Sequence, residues 1–243
     1  MVIPGMNKKN INLSKRIFLK TEKLEEALAN EIISSLENDL LLHNEAKLLL
    51  SGGNTPINLY ILLSQFNINW AKVSIGLVDE RFVSADDTYS NEKMIKNYLI
   101  QGKASKAKFI GLVYDIHDIN KNVQIAIDKN KSFFEGTSCV LLGMGSDGHT
   151  ASLFPNDESS SNGLQEKKNC KELIITYSPV KPTKRISYTK NQLLNTKRLF
   201  LYFTGDAKMK VFSQAKYLNH IKEFPISSFI HQNKKLLEVF WTF

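Results

Sequence analysis

Short apolar runs alternate with longer stretches whose apolar residues recur at helical spacing, and this alternation is the most regular feature of the chain. Arg16 to Lys20 predicts a strand. Thr21 is a plausible N-cap for a helix that sets Leu24, Leu28, Ile32, Leu36 and Leu40 on one face. Ala46 to Leu50 predicts a second strand, followed by Ser51-Gly52-Gly53-Asn54-Thr55-Pro56, where Pro56 suits the first turn of a helix. The same order recurs at Val73 to Val78, at Cys139 to Leu142, and at Leu199 to Phe203. The last of these leads through Thr204-Gly205 into a helix from Asp206 to about Leu218, and Leu237 to Phe243 predicts a closing strand. Asn156 to Asn169, with Ser159, Ser160, Ser161, Asn162 and Gly163 at its centre, reads as one long surface loop. Short apolar strands separated by amphipathic helices predict an α/β fold, a mainly parallel sheet with helices on both faces. No repeat or Pro/Gly linker divides the chain, so residues 1–243 are expected to form one domain.

Composition narrows the class without naming a function. The 243 residues are 42% hydrophobic and 23% charged, the proportions of a globular chain with a substantial core. No window reaches the roughly 18 apolar residues that a membrane helix needs. Met1 to Lys20 lacks the apolar core and small-residue cleavage site of a signal peptide, so a cytoplasmic address is expected. Cys139 and Cys170 are too few for a disulfide framework or a Cys-rich metal site and read as plain thiols. The net charge of +8 comes from basic residues spread along the chain, in pairs such as Lys8/Lys9, Lys167/Lys168 and Lys234/Lys235. A solvated lysine surface explains it better than nucleic-acid binding, and it equally suits attraction of a small anion.

The polar clusters carry the chemistry. Ser51 to Thr55, Asp79-Glu80-Arg81, Gly143 to His149 and Thr204 to Lys208 each follow a predicted strand, so a parallel sheet would bring all four to its carboxyl edge, where open α/β sheets place ligands. Two glycines with hydroxyls beside them could cradle a phosphate on backbone N–H groups, although an ordinary strand-to-helix turn fits the same residues. The loop lacks the Lys-Ser/Thr ending of a nucleotide P-loop. Asp79-Glu80-Arg81 could supply an acid/base group and an anion clamp, or only an ion pair in a turn.

Gly143-Met144-Gly145-Ser146-Asp147-Gly148 satisfies G-x-G-x-x-G, but His149 and then Ser152-Leu153-Phe154-Pro155 follow where a dinucleotide site needs a helix. His149, in a Gly-rich turn beside Asp147, is a candidate general base; His43, His117, His220 and His231 read as structural or exposed. Arg185 and Lys208 are further cationic candidates, Lys208 because a lysine at a helix start opposes the helix dipole unless an anion sits there.

Taken in order, Ser-Gly-Gly-Asn-Thr-Pro at 51–56, Val-Asp-Glu-Arg at 78–81, Gly-Met-Gly-Ser-Asp-Gly-His-Thr-Ala-Ser-Leu-Phe-Pro at 143–155, Arg-Ile-Ser at 185–187 and Thr-Gly-Asp-Ala-Lys at 204–208 resemble the glucosamine-6-phosphate isomerase/6-phosphogluconolactonase family. The resemblance runs from about residue 15 to the end of the chain and is most specific at Gly143 to Pro155. It implies a Rossmann-like fold shared with glucosamine-6-phosphate deaminases and ribose-5-phosphate isomerases. It also implies hydrolysis of a sugar-phosphate lactone, 6-phospho-D-glucono-1,5-lactone, in the oxidative pentose phosphate pathway, with no metal or organic cofactor. Under it, Ser51, Gly52, Gly53, Asn54, Thr55, Arg185 and Lys208 bind the phosphorylated substrate. His149 moves the proton, Arg81 stabilises charge or orients substrate, and Asp147 or Asp79 fixes the imidazole tautomer. The deaminase branch carries a Glu where this chain has Phe154, and a sugar-phosphate sensor without catalysis is the reading from another class.

Overall fold

The computed structural model describes residues 11–166 and 172–243. Met1 to Asn10, and with them half of the stretch read for a signal peptide, lie outside the described residues, as do Lys167, Lys168 and Cys170. Ten strands follow in chain order: β1 (Leu13–Phe18), β2 (Ala46–Leu50), β3 (Val73–Leu77), β4 (Asp79–Arg81), β5 (Lys108–Phe109), β6 (Thr137–Leu142), β7 (Leu173–Tyr177), β8 (Lys184–Tyr188), β9 (Thr196–Thr204) and β10 (Leu237–Thr242). Seven of them form one sheet in the order β1-β10-β9-β6-β2-β3-β5, every pair parallel. Antiparallel β4, β8 and β7 form a second sheet.

The central strands read as continuous apolar runs because helices cover both faces of the large sheet. Every residue of β6 is buried, and Leu48, Leu50, Ile75, Leu141, Leu199 and Phe240 are fully enclosed. The helix Thr21–His43 seals one face with Leu24, Leu28, Ile32 and Leu36, all inaccessible to solvent. Each such side chain contributes about 1.5–3 kcal/mol by leaving water. The helix ends where Asn44 turns left-handed (φ 56) and its N–H reaches the Leu40 carbonyl at 3.0 Å.

The order of strands creates the ligand crevice. From β2 the chain crosses through the helix Ile57–Leu63 to β3 on one side, whereas β6 leads to β9 on the other. The direction therefore reverses between β2 and β6, and there the loops part and leave a crevice at the carboxyl ends. Ser51 at the end of β2 donates its N–H to the Leu141 carbonyl of β6 at 3.1 Å. Val78 alone separates β3 from β4: its N–H bonds Leu50 in the large sheet at 2.9 Å and its carbonyl takes the Tyr188 N–H of β8 at 3.0 Å. One extended segment thus belongs to both sheets.

Several boundaries differ from the sequence expectation. β1 is Leu13–Phe18, earlier than Arg16 to Lys20, because its register is set by pairing with Leu237–Thr242. Lys20 (φ −137), not Thr21, is the N-cap, and no side chain caps this helix; the Leu24 N–H bonds the Lys20 carbonyl at 3.2 Å instead. The stretch expected as one loop from Asn156 contains the helix Glu158–Gly163. Asp157 caps it by accepting the Ser160 N–H at 2.7 Å, and Gly163 packs so closely that a Cβ there would lie 2.3 Å from Ile174. Residues 167–169 of that expectation are outside the described residues. Asp79-Glu80-Arg81 is a strand of the second sheet rather than only a turn after β3. Among the described residues no helix is long and apolar enough to cross a membrane.

Candidate active site

All four polar clusters meet at the carboxyl edge of the large sheet, around a cleft of about 240 Å³. Ser51 to Pro56, Asp79, Arg81, Gly143, Met144, Gly145, His149 and Lys208 line it, together with Asn91, Ala151 and Tyr202. A cavity of about 300 Å³ lies at the opposite edge, where Lys197 pairs with Asp39 at 2.5 Å and Lys47 with Glu45 at 3.3 Å. Among the described residues, Arg81 and Lys208 face the smaller cleft without an ion pair.

The Ser51–Pro56 loop is shaped by close contacts. A Cβ on Gly52 would fall 1.9 Å from Asn91 Oδ1, so only glycine lets the loop lie against that side chain. Gly53 adopts φ +90, a conformation glycine takes without strain. Beneath, the fully buried Tyr60 hydroxyl donates to the Ser51 carbonyl at 2.6 Å, and burial pushes its phenol far above the ordinary range. The helix that follows has seven residues, so an anion here would be met by loop N–H groups more than by a long helix dipole.

The Gly143–His149 loop folds back on itself. The Gly145 N–H donates to the His149 carbonyl at 2.9 Å, the Gly148 N–H to the Gly145 carbonyl at 3.1 Å, and the Thr150 hydroxyl to the Gly143 carbonyl at 2.8 Å. No helix opens after Gly148; the next is Glu158–Gly163, which leaves the G-x-G-x-x-G run without dinucleotide geometry. His149 Nδ1 lies 2.6 Å from Asp147 Oδ1, an oxygen that also accepts the His149 N–H at 3.1 Å. Burial raises the Asp147 carboxyl, but the hydrogen bonds and charge of His149 outweigh it and hold it below its ordinary value. An ionised Asp147 makes Nδ1 the protonated nitrogen and leaves Nε2 able to accept a proton. The Phe154 ring packs on the imidazole with centroids 5.0 Å apart. Gly145 approaches so closely that a Cβ would lie 2.2 Å from the imidazole.

Arg81 and Arg185 face each other across the β4–β8 ladder. Arg81 Nη1 donates to the Tyr89 carbonyl at 2.5 Å and the side chain lines the cleft. Arg185 sits behind that lining, 5% exposed, and its buried Nη1 has no hydrogen-bond partner among the described residues. Burial pulls its guanidinium down to about 10; Arg81 adds to the shift, while Asp79 and Glu80 oppose it. Two guanidinium groups this close favour an anion between or beside them. Lys208, half-buried in the first turn of the 13-residue helix Asp206–Leu218, is lowered by burial against the opposing charge of Asp147.

Asp79 stands apart from His149: its carboxylate accepts a hydrogen bond from the Ser152 hydroxyl. The sequence had left Asp79 and Asp147 level as partners of the imidazole, and the geometry gives the contact to Asp147. Glu80 is buried and accepts from Arg81 N–H (2.7 Å), Asn91 N–H (2.8 Å), Glu92 N–H (2.7 Å) and the Ser90 hydroxyl (3.1 Å). It thereby caps the helix Asn91–Tyr98 and swings Asn91 into the cleft. Sequence reading missed Asn91 and Tyr202. Ser90-Asn91-Glu92 carries a helix-start signal that could have pointed to the first; Tyr202, inside an apolar strand, carries none. Among the described residues no group of three acidic, His or Cys side chains could hold a metal ion.

A family model described as "Glucosamine-6-phosphate isomerases/6-phosphogluconolactonase" matches residues 19–241. A curated 6-phosphogluconolactonase of Helicobacter pylori is 33% identical over 224 residues, 92% of this chain and 96% of that one. One from Rhizobium meliloti is 30% identical over 225 residues, 93% of this chain and 97% of that one. The crystal structure of a 6-phosphogluconolactonase from Shewanella baltica superposes with a TM-score of 0.91 at 34% identity, covering 98% of this chain and all of that one.

Proposed function

Because the chain belongs to the glucosamine-6-phosphate isomerase/6-phosphogluconolactonase family, we propose that its cleft hydrolyses 6-phospho-D-glucono-1,5-lactone to 6-phosphogluconate, a step of the oxidative pentose phosphate pathway. The observation that carries this reading is the Asp147–His149 pair opening onto the same cleft as the Ser51–Thr55 loop and Lys208.

In this reading the backbone amides of Gly52, Gly53 and Asn54, the Ser51 and Thr55 hydroxyls and Lys208 take the 6-phosphate, while Arg185, buried behind the cleft lining, adds positive charge from beside Arg81. Binding at that non-reacting group orients the lactone carbonyl. His149 Nε2 takes a proton from water as the water oxygen bonds to C1. The carbonyl π electrons move to oxygen, and Arg81 stabilises the charge that develops. The intermediate then collapses: the C1 to ring-oxygen bond breaks, and His149 returns its proton to the departing oxygen. Asp147 holds the imidazole in the required tautomer throughout and favours its protonated form between the two transfers. No step needs a metal or an organic cofactor. Phe154 favours hydrolysis over deamination, because opening an amino-sugar ring uses a carboxylate where this chain has an aromatic ring in contact with His149.

The deciding experiment follows acid release from freshly prepared 6-phosphogluconolactone. Acceleration beyond spontaneous hydrolysis, lost in His149→Ala, supports the assignment; spontaneous rate alone with folded wild-type protein removes it.

A further inference from the structure

The mechanism leaves one carboxylate of the cleft without a task. Asp79 lines the cleft and is 7% exposed, yet among the described residues it makes no ion pair. Arg185 lies near enough to feel its charge but does not bond to it. Among the described residues its one side-chain hydrogen bond comes from the Ser152 hydroxyl to Oδ2. Its backbone carbonyl is held separately, by Asn91 Nδ2 at 3.0 Å.

Ser152 is itself fixed on two further sides. Its carbonyl accepts from the Thr176 hydroxyl at 2.6 Å, and its N–H donates to the Ser187 hydroxyl at 3.3 Å. Ser152, Thr176 and Ser187 are all essentially inaccessible to solvent. The chain of contacts therefore runs from the second sheet, through the loop that carries His149, to one oxygen of Asp79. A carboxylate clamped at Oδ2 keeps a fixed orientation, and its Oδ1 is left with acceptor capacity that no donor among the described residues fills. Leaving that capacity unfilled beside a bound, water-excluding ligand would be costly.

We propose that Asp79 is the specificity-determining acceptor for a ring hydroxyl of the lactone, and that Ser152 is the positioning residue that aims it. The inference rests on the lactonase reading above. It assigns Asp79 a task distinct from the imidazole, which Asp147 already orients. The chemistry it selects is a polyhydroxylated ring: a donor O–H at one carbon, rather than the phosphate or the carbonyl, decides whether the ring is accepted. A site built to bond a hydroxyl discriminates strongly against the analogue lacking it, because the buried acceptor is then stranded.

The test compares kcat/KM for the parent lactone with its 2-deoxy, 3-deoxy and 4-deoxy analogues, each carrying the 6-phosphate. Wild-type protein is expected to disfavour one of the three by about tenfold or more, the scale of a hydrogen bond to a charged group. In Asp79→Ala that ratio should collapse to within about twofold, because the parent loses rate while the matching deoxy lactone does not. Ser152→Ala, which keeps the carboxylate but frees it, should reduce the same ratio part of the way, and it remains informative should Asp79→Ala fail to fold. A merely structural role would slow all four lactones alike. Ratios unchanged in both variants, or no discrimination by wild type at any position, would overturn the inference while leaving lactonase activity intact. Absence of activity on the parent lactone would instead remove the reading on which it rests.

Discussion

One oxygen of Asp147 contacts His149 twice, taking its backbone N–H at 3.1 Å and facing its Nδ1 at 2.6 Å. The carboxylate thus fixes both the position of the residue and the tautomer of its ring. His149→Ala is expected to lower kcat by roughly 10²-fold or more while the fold survives, the scale of a positioned proton-transfer group. Asp147→Asn should lower kcat with a smaller change in KM, because an amide donor opposite Nδ1 favours the wrong tautomer. Steady-state kinetics on folded variants check both, and near-wild-type turnover in either would remove its role.

Lys208 is charged, half-buried and opposed by the helix dipole, a combination that an anion relieves. Lys208→Ala should raise KM for the phosphorylated lactone by about tenfold and leave the weak hydrolysis of unphosphorylated gluconolactone unchanged. Inorganic phosphate should compete with substrate in wild type and much less so in the variant. Equal efficiency on the two lactones in wild type would show that the Ser51–Thr55 loop and Lys208 do not recognise phosphate.

Phe154 packs against the imidazole where the deaminase branch carries a glutamate. No ammonia should therefore be released from glucosamine 6-phosphate at an enzyme concentration that hydrolyses the lactone readily. A coupled ammonia assay decides it. Comparable turnover would mean that another carboxylate near the cleft moves the proton.

Glu80 supplies a pH dependence of stability. Burial, the largest influence, pushes its carboxyl up to about 7 against the lowering effect of its backbone donors. A carboxyl raised on folding contributes stability that is fully present below its unfolded value near 4.5 and is lost as pH rises through about 7. Glu80→Gln should flatten that part of the curve, measured as urea midpoints across this window. It should also cost roughly 1–3 kcal/mol overall, since an amide turns N–H groups toward the donors of Arg81, Asn91 and Glu92. An unchanged pH slope in the variant would assign the dependence elsewhere.

The large sheet was legible because its strands are buried on both faces: Leu48 to Leu50 and Cys139 to Leu142 are apolar whichever way each residue points, and the polar loops after them stand out. The second sheet was not. Asp79-Glu80-Arg81 has no strand-like pattern, and it becomes a strand because Val78 carries β3 directly into pairing with Arg185 to Ser187. The same limit applies to the site. His149, Asp147, Arg81 and Lys208 were visible as polar residues in turns after strands. Asn91 is placed at the cleft by bonds to Glu80 and to the Asp79 carbonyl, and the task of Ser152 depends on a partner 73 positions away. Contacts of that kind have no local signature.

The segment through Val78 has a mechanical consequence. His149 and the Ser51–Thr55 loop follow strands of the large sheet, whereas Arg81 and Arg185 belong to the small one, so the two walls of the cleft come from different sheets. A molecule gripped from both sides acts as a strut between them. Its binding should slow amide exchange along the whole of β4, β8 and β7, beyond the residues it touches, and should make the two sheets melt as one.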